Sequence, residues 1–369
     1  MRAVGIILAG GNNNRMKELT HKRAVAAMPI AGSYRSIDFA LSNMTNSHIQ
    51  KVAVLTQYNA RSLNEHLNSS KWWNFGRKQG GLYVFTPTIT NDNGYWYRGT
   101  ADAIYQNMDF LKKSHEPYVV IASGDAVYKM DYSKVLQYHI DKKADVTVVC
   151  KEMDPSDDVS RFGTIRMDDD MRITEFEEKP MVTKSNMIST GIYVIRRRLL
   201  IEHAAEEERF DFVNDVLIRY KNLKKIYGYK IDHYWSNIAT VDAYYKTNMD
   251  FLKPEVRNYF FKQDPEIYSK VSDLPPAKYN PGASVKNSLV GSGSIINGTV
   301  ENSVIFKQVF VGNNCVIKNS IILNDVYLGD NTYIENCIVE SRDTIRANTR
   351  HVGTNGIKVV VEKNERYAL

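Results

Sequence analysis

Two loops that follow apolar runs in this sequence carry residues that could do chemistry. Gly10 and Gly11 follow the first run and precede Arg15. Glycines let a backbone come close to a phosphate, and an arginine adds charge-assisted hydrogen bonds. Asp125 directly follows another apolar run. Both loops also have simpler interpretations, because Gly-Gly-Asn is an ordinary turn and Asp125 fits a solvated turn residue.

Short apolar runs alternate with amphipathic stretches in the part of the chain that carries these loops. The amphipathic stretches 101–112 and 132–142 are typical of helices. The apolar runs are typical of buried strands and lie at 4–8, 52–55, 118–122, 146–150 and 191–195. This alternation predicts an α/β fold with a mostly parallel sheet. Ligands of such sheets bind beyond the carboxyl ends of the strands, so we expect the site in the loops that follow them.

The sequence changes character after Leu252. Prolines accumulate first, and then Gly, Asn, Ser and β-branched residues dominate. Every sixth residue is apolar at Val304, Phe310, Val316, Ile322, Leu328 and Ile334. This period predicts a parallel β-helix of hexapeptide repeats, with an antiparallel sandwich as the alternative. Upstream, at Val290 and Ile296, the phase shifts. We predict three units: a domain over 1–252, a linker over 253–283 and a β-helix over 284–369.

Composition excludes several classes of protein. The 369 residues are 43% hydrophobic and 24% charged, which is ordinary for a folded globular protein. The net charge of +6 is scattered along the chain. This argues against nucleic acid as a partner and fits a pocket for phosphorylated metabolites. Three distant cysteines form no disulfide or zinc pattern. The N-terminal apolar run is too short for a membrane span or a signal peptide, so we expect a cytoplasmic protein.

Further blocks follow the glycine loop in a fixed order. They are Lys22-Arg23-Ala24 and the segments 34–43, 55–58, 96–103, 123–125 and 176–180. Together they resemble the bacterial glucose-1-phosphate adenylyltransferases over nearly the whole chain. The resemblance implies a Rossmann-like (GT-A-like) mixed, mostly parallel sheet followed by a left-handed parallel β-helix. It also implies a tetramer of identical or related subunits.

The resemblance also implies roles for individual residues. Gly10, Gly11 and Arg15 would face the phosphates of ATP, Gln57, Gly99 and Thr100 would line the adenine pocket, Asp125 would hold the catalytic Mg²⁺, Glu178 and Lys179 would bind glucose 1-phosphate, and Ser189 and Asp215 would lie near the sugar. Lys22 corresponds to a lysine that contacts a phosphorylated activator in some members, although a solvated surface lysine is an equal alternative. Without the resemblance, Glu178-Lys179 is only an exposed charged pair before a proline.

Three positions depart from the active members of the family. Asn13 replaces a glycine of the phosphate loop, and Val25 replaces a lysine that meets the phosphates. Asn237 replaces the second magnesium carboxylate, and an amide oxygen brings no charge to that hard cation. Magnesium binding is therefore doubtful. The pattern resembles the non-catalytic D-type subunit that some Gram-positive bacteria pair with an active homologue.

The sequence leaves three functions open. The first is a regulatory subunit that associates with a catalytic homologue and retains a pocket for ATP, glucose 1-phosphate or a phosphorylated effector. The second is a slow but active ADP-glucose synthase. The third is a free sensor of nucleotide or sugar phosphate. A decayed pocket in a purely structural partner is the simplest alternative to all three.

Overall fold

The computed structural model describes residues 2–11, 14–76, 80–88, 94–204, 210–219 and 223–362. Strands and helices alternate in its N-terminal part. The strands are β1 (Ala3–Ala9), β2 (Pro29–Ile30), β3 (Tyr34–Arg35), β4 (Lys51–Thr56), β5 (Gly81–Phe85), β6 (Tyr118–Ser123), β7 (Ala126–Tyr128), β8 (Val146–Glu152), β9 (Gly163–Met167), β10 (Ile173–Glu178), β11 (Met187–Arg196), β12 (Ile226–Ile231) and β13 (Trp235–Asn237). The helices are α1 (Ser36–Asn46), α2 (Arg61–Leu67), α3 (Thr100–Gln106), α4 (Met108–Lys112), α5 (Tyr132–Asp141), α6 (Arg197–Ala204), α7 (Val241–Asp250) and α8 (Pro254–Phe261). Short 3-10 turns cover Asn14–Thr20, Val25–Ala27 and Ser70–Trp73, and a π-helical turn covers Phe212–Ile218.

Nine of the described strands form one mixed sheet. The order of seven of them is β10-β9-β11-β6-β1-β4-β5. β8 also pairs with β11, and β12 pairs with β8. β1 pairs in parallel with β4 and β6, whereas β11 runs antiparallel to both β6 and β8. Apolar residues pack on both faces of the sheet, with Ile7 of β1 on one face and Ile6 on the other. β1, β4 and β6 therefore end at one edge, where we expect the site.

The helix predicted over 101–112 is divided into α3 and α4 at Asn107. The side-chain nitrogen of Asn107 donates to the carbonyl of Ala103 at 2.9 Å and to the Tyr97 hydroxyl at 2.9 Å. An asparagine that bonds to its own backbone competes with the helical hydrogen-bond ladder. The break lets Asn107 hold Tyr97 close to α3.

The C-terminal part is a parallel β-helix. Its strands are β14 (Lys278–Tyr279), β15 (Ser284–Lys286), β16 (Leu289–Val290), β17 (Ile295–Ile296), β18 (Thr299–Glu301), β19 (Val304–Ile305), β20 (Phe310–Val311), β21 (Val316–Lys318), β22 (Ile321–Ile322), β23 (Tyr327–Leu328), β24 (Tyr333–Glu335), β25 (Cys337–Val339), β26 (Thr344–Ile345), β27 (Arg350–Val352) and β28 (Lys358–Val360). Every third strand joins the same sheet, which gives three five-stranded sheets among the described residues. All three are parallel. This confirms the β-helix over the antiparallel sandwich and is consistent with the left-handed hexapeptide type.

The six-residue spacing counted from Val304 is wrong at Phe310 and Val316. Both side chains are only partly buried, whereas the residues that follow them, Val311 and Ile317, are fully buried. One coil takes 17 residues, as the pairing of Asn314 with Asn331 shows. A coil is therefore one residue shorter than three full hexapeptides, and a strict period drifts out of register. An upstream coil takes 15 residues, which accounts for the phase shift at Val290 and Ile296.

The two parts of the chain share one apolar cluster. Phe39 from the N-terminal part and Phe306 from the β-helix both belong to it, and so does Phe260 of α8. α8 and β14 lie within the segment 253–283 that we predicted to be a linker, so much of this segment is folded. At the rim of the cluster, Arg23 forms an ion pair with Glu340 that is largely buried. The β-helix therefore packs directly against the N-terminal domain.

A titratable aspartate lies beside this interface and gives the first prediction. Burial raises the pKa of Asp343 to about 6, and the carboxylates of Glu340 and Glu362 add to the rise. Because its pKa is higher in the folded than in the unfolded chain, the folded state takes up this proton at a higher pH. The ionised carboxylate therefore destabilises the fold at neutral pH, and the effect disappears in acid, where both states are protonated. We expect D343N to be about 2 kcal/mol more stable than the natural chain above pH 6, with no difference below about pH 4.

Urea unfolding of both proteins across this pH range checks the prediction. The side-chain oxygen of the asparagine can still accept the hydrogen bond that the backbone N–H of Glu362 donates to Asp343 at 2.8 Å. A stability difference that is independent of pH would show that the charge of Asp343 does not act as described.

Candidate functional site

The carboxyl ends of three strands bring together residues from distant parts of the chain. Gly10 follows β1, Gln57 follows β4 and Asp125 comes shortly after β6. A Cβ on Gly10 would lie 3.3 Å from the Cβ and the backbone nitrogen of Gln57, so the two loops are in close contact. A Cβ on Gly11 would meet nothing within 4 Å. The structure thus places the predicted phosphate loop beside Gln57, while Asn13 lies outside the described residues.

The side chain of Gln57 is fixed by the backbone of Tyr97. Its Nε2 donates to the Tyr97 carbonyl at 3.1 Å, and its Oε1 accepts from the Tyr97 N–H at 2.7 Å. Gln57 therefore positions the loop that leads to α3. The rings of Tyr58 and Trp96 stack beside it, with centroids 6.4 Å apart and planes 12° apart, and both are exposed. These two rings are the aromatic surface next to the predicted adenine pocket.

Gly99 and Thr100 hold the segment that begins at Phe210. A Cβ on Gly99 would lie 2.7 Å from the carbonyl carbon of Phe210, a distance that no larger residue could keep. The Thr100 hydroxyl accepts from the backbone N–H of Phe212 at 2.8 Å. The residues predicted to line the adenine pocket thus also hold the segment that carries Asp211 and Asp215.

Asp125 and Asn237 lie together, as the resemblance implies. β13 pairs with β7 so that Asn237 is opposite Ala126, and the N–H of Ile238 donates to the carbonyl of Asp125 at 2.9 Å. Ser123 donates a short hydrogen bond to the carboxylate of Asp125. The side-chain oxygen of Asn237 accepts from the N–H of Ala239 at 3.0 Å. The pair thus consists of one carboxylate and one amide that is already hydrogen-bonded.

These residues do not fit a catalytic Mg²⁺ site. Magnesium prefers charged oxygen ligands in a near-octahedral arrangement. The pair of Asp125 and Asn237 supplies one carboxylate where the resemblance implies two.

Val25 adds an apolar side chain to the same region. It is only 8% exposed and belongs to the cluster that contains Val127 and Ile238. A Cβ on Gly124 would lie 3.1 Å from the Cβ of Ala26, so the turn that carries Val25 packs against the loop that carries Asp125. A lysine at position 25 would thus have placed a positive charge close to Asp125.

Glu178 and Lys179 end β10 and form an ion pair at 3.0 Å. The side chain of Glu178 is 16% exposed and that of Lys179 is 60% exposed, so the carboxylate lies within the fold and the ammonium reaches solvent. Lys179 has a φ of 48°, and its N–H donates to the carbonyl of Phe162 at 3.2 Å. This bond ties the turn at Lys179 to the loop that precedes β9.

The predicted sugar residues Ser189 and Asp215 have different surroundings. The hydroxyl of Ser189 lies 3.2 Å from the hydroxyl of Tyr193. Burial raises the pKa of Tyr193, and the carboxylates of Glu178 and Asp211 raise it further. Asp215, in contrast, accepts the backbone N–H groups of Phe210 and Asp211, both at 2.8 Å. The carboxylate of Asp211 also binds local backbone, since it accepts from the N–H of Asn214 at 2.8 Å. The role of Asp215 beside the sugar stays a prediction.

Sequence reasoning did not single out Tyr193, Asp211 or Arg161. Tyr193 lies among the apolar residues at the end of β11, and the local sequence does not separate Asp211 from Asp215. Arg161 lies in a loop with no motif of its own. The charges of Asp158, Arg15 and Asp125 all act on its guanidinium, so it lies beside the predicted phosphate and metal region.

Lys22 is exposed next to acidic residues of the β-helix. Its ammonium opposes the burial that raises the pKa of Glu340 and of Asp343. An anion at Lys22 would thus meet two carboxylates. The effector role of Lys22 stays a prediction.

Comparison with known proteins assigns the chain to a family. Residues 4–254 match the family described as Nucleotidyl transferase, and residues 275–358 match the GlmU-like, C-terminal hexapeptide family. The glucose-1-phosphate adenylyltransferase of Clostridium botulinum (strain Alaska E43 / Type E3) is 42% identical over 321 residues, which cover 85% of this chain and 83% of that protein. The chain belongs to the glucose-1-phosphate adenylyltransferase family.

Relatives from other organisms agree with this assignment. The glucose-1-phosphate adenylyltransferase of Clostridium novyi (strain NT) is 40% identical over 320 residues, covering 85% of this chain and 84% of that protein. That of Thermotoga sp. (strain RQ2) is 39% identical over 321 residues, covering 85% of this chain and 76% of that protein.

Among the described residues, every helix is too short or too polar to span a bilayer. The three cysteines are free and buried.

Proposed function

We propose that this chain is a regulatory, catalytically impaired subunit of a glucose-1-phosphate adenylyltransferase, which converts ATP and glucose 1-phosphate to ADP-glucose and diphosphate. One observation carries the proposal. Asn237 stands beside Asp125, and Val25 is buried next to that loop. Each takes the place of a charged group that the family resemblance implies.

The two replacements affect turnover more than binding. Nucleotidyl transfer depends on positive charge placed around the phosphates in the transition state. The groups predicted to bind the sugar phosphate are still present, with Glu178 and Lys179 at the end of β10 and Ser189 beside Tyr193. A pocket of this kind binds a ligand without converting it.

The proposed partner is a catalytic homologue of the same family, in a cytoplasmic tetramer. Curated relatives match this chain over 83–84% of their own length and over both of its parts. The chain has the architecture needed to take the place of one subunit. In that place it would raise the turnover of the catalytic subunit or change its response to effectors.

Activity measurements on the purified chain test the proposal. With saturating ATP, glucose 1-phosphate and Mg²⁺, we expect ADP-glucose formation at least about 100-fold slower than by the catalytic homologue, as for other deleted transition-state contacts. Mixed with the homologue, the chain should co-elute with it and change its turnover. Turnover by the chain alone at the rate of the homologue would show that it is an active synthase instead.

A variant of this chain separates a regulatory role from a catalytic one. D125N removes the remaining carboxylate of the predicted metal position. In the mixed complex it should leave the rate of ADP-glucose formation nearly unchanged, because chemistry takes place in the other subunit. Loss of activity in the complex would show that Asp125 takes part in the reaction. A chain that binds ligand but never associates with the homologue would be a free sensor.

A further inference from the structure

Arg161 is held in place at the edge of the predicted phosphate region. It lies in the loop between β8 and β9, and its guanidinium carbon is 4.7 Å from the centroid of the Phe162 ring. Its Nη1 donates to the hydroxyl of Thr240 at 3.3 Å. Thr240 caps α7 and follows Asn237 closely in the chain. The guanidinium is therefore fixed against the segment that carries Asn237.

The aromatic ring under Arg161 connects it to both halves of the site. The Phe162 ring makes an edge contact with Trp235 of β13, with centroids 5.7 Å apart. The carbonyl of Phe162 accepts the N–H of Lys179. Phe162 thus connects β13, which carries Asn237, with the turn that carries Lys179. Arg161 precedes Phe162 in the chain, and its guanidinium packs on this ring.

Charges of both signs lie around Arg161. Burial lowers the pKa of its guanidinium, and the charge of Arg15 lowers it further, while the carboxylates of Asp158, Asp125 and Asp157 raise it. Arginine remains charged under all such conditions. Arg161 therefore keeps its positive charge within electrostatic range of Arg15 and Asp125, while the ammonium of Lys179 is paired with Glu178.

We propose that Arg161 binds the phosphate group of the ligand directly, and that this chain therefore binds phosphorylated ligand without a metal ion. The inference rests on the proposed function, because it concerns the same pocket. Its chemical basis is that a planar guanidinium makes paired, charge-assisted hydrogen bonds to phosphate. A fixed arginine neutralises the phosphate charge in the ground state. It does not replace the two-carboxylate metal site that turnover requires.

Calorimetric titration of the full chain with glucose 1-phosphate, with ATP and with inorganic diphosphate tests the proposal. Each titration is run with EDTA and again with Mg²⁺. At least one probe should bind in EDTA, and Mg²⁺ should change its Kd by less than about threefold, because arginine supplies the charge. Whichever probe responds identifies the sugar phosphate or the nucleotide as the source of the phosphate. No binding in EDTA would overturn the proposal.

Substitutions assign the effect to Arg161. R161Q should weaken metal-free binding by roughly 10-fold or more, which is the loss of charge-assisted hydrogen bonds. R161K keeps the charge but not the paired geometry, so its metal-free affinity should lie between those of the natural chain and R161Q. It keeps the test valid if R161Q does not fold. R166Q is the matched control, because Arg166 lies on β9 and contacts Glu175 at 3.5 Å and the carbonyl of Lys184.

The three variants have distinct outcomes. Unchanged affinity in folded R161Q, or an equal loss in R166Q, would contradict the proposal. These titrations measure binding alone. If the chain proves to be an active synthase, the proposed function fails while the assignment of Arg161 is judged by its own titrations.

Discussion

Restoring the charged groups of the site should convert this chain into a working synthase. The triple variant N13G/V25K/N237D is expected to form ADP-glucose about 100-fold faster than the natural chain, or faster still, since each deleted charge of this kind typically costs about 10² to 10³ in rate. Single reversions should do far less. A carboxylate that helps to hold Mg²⁺ and a lysine that neutralises phosphate act as a unit, so neither compensates for the absence of the other.

The structure shows how the substitutions at positions 25 and 237 would be accommodated. The aspartate at 237 is nearly the same size as asparagine, and its oxygen can still accept from the N–H of Ala239. The lysine at 25 enters an apolar cluster, where its stem can pack while the ammonium extends toward solvent and phosphate. Asn13→Gly adds backbone freedom without charge and should act mainly on nucleotide affinity.

Initial rates of ADP-glucose formation check this prediction, with V25M/N237D as the matched control. Methionine fills a similar volume to the lysine stem but carries no charge, so the control should remain close to the N237D single variant. A triple variant that folds and binds ATP and glucose 1-phosphate but still forms no ADP-glucose would contradict the role given to these three positions.

The position of the site could be predicted because it follows from strand topology. Apolar runs that precede Gly10 and Asp125 become β1 and β6, and adjacent parallel strands end at one edge whatever their separation in sequence. The approach of Asn237 to Asp125 could not be derived in this way. It depends on the short antiparallel pair β7–β13, whose few residues show no clear period. The family resemblance supplied that contact.

Residues that act through tertiary contacts were beyond the reach of a single sequence. Nothing in the local pattern separates Asp211 from Asp215, since the distinction lies in which carboxylate the backbone of Phe210 approaches. Arg161 gains its position from Phe162 and Thr240, which lie on different elements. Thr240 follows Arg161 by 79 residues, so the local sequence around Arg161 contains no sign of this contact.

The coil length of the β-helix, in contrast, is visible in the sequence, but a strict six-residue count does not detect it. Asn314, Asn331 and Asn348 recur every 17 residues, each with a positive φ, and their side chains hydrogen-bond to one another along the coils. Asparagine tolerates this left-handed conformation better than most residues, so it marks a tight corner. Counting from asparagine to asparagine would have given the true period where counting apolar residues did not.

Removing the carboxylate of Glu340, which lies between the two parts of the chain, is expected to destabilise the fold. Glu340 pairs with Arg23 across the interface, and both side chains are largely buried. Burial raises the pKa of Glu340, and the charge of Arg23 opposes the rise. E340A leaves the guanidinium of Arg23 buried without this carboxylate, and we expect a loss of about 3–5 kcal/mol in unfolding free energy. R23A should cost a similar amount.

The double variant R23M/E340L distinguishes a specific charge effect from general damage. Replacing both charges by apolar groups removes the cost of an uncompensated buried ion, so the double variant should be far more stable than either alanine variant. E152A is a second control, because Glu152 and Lys230 form an exposed ion pair whose loss should hardly change stability. Urea unfolding followed by tryptophan fluorescence measures the unfolding free energy of the natural chain and of these four variants. If R23M/E340L is as unstable as E340A, the loss of stability in E340A does not come from the uncompensated charge of Arg23.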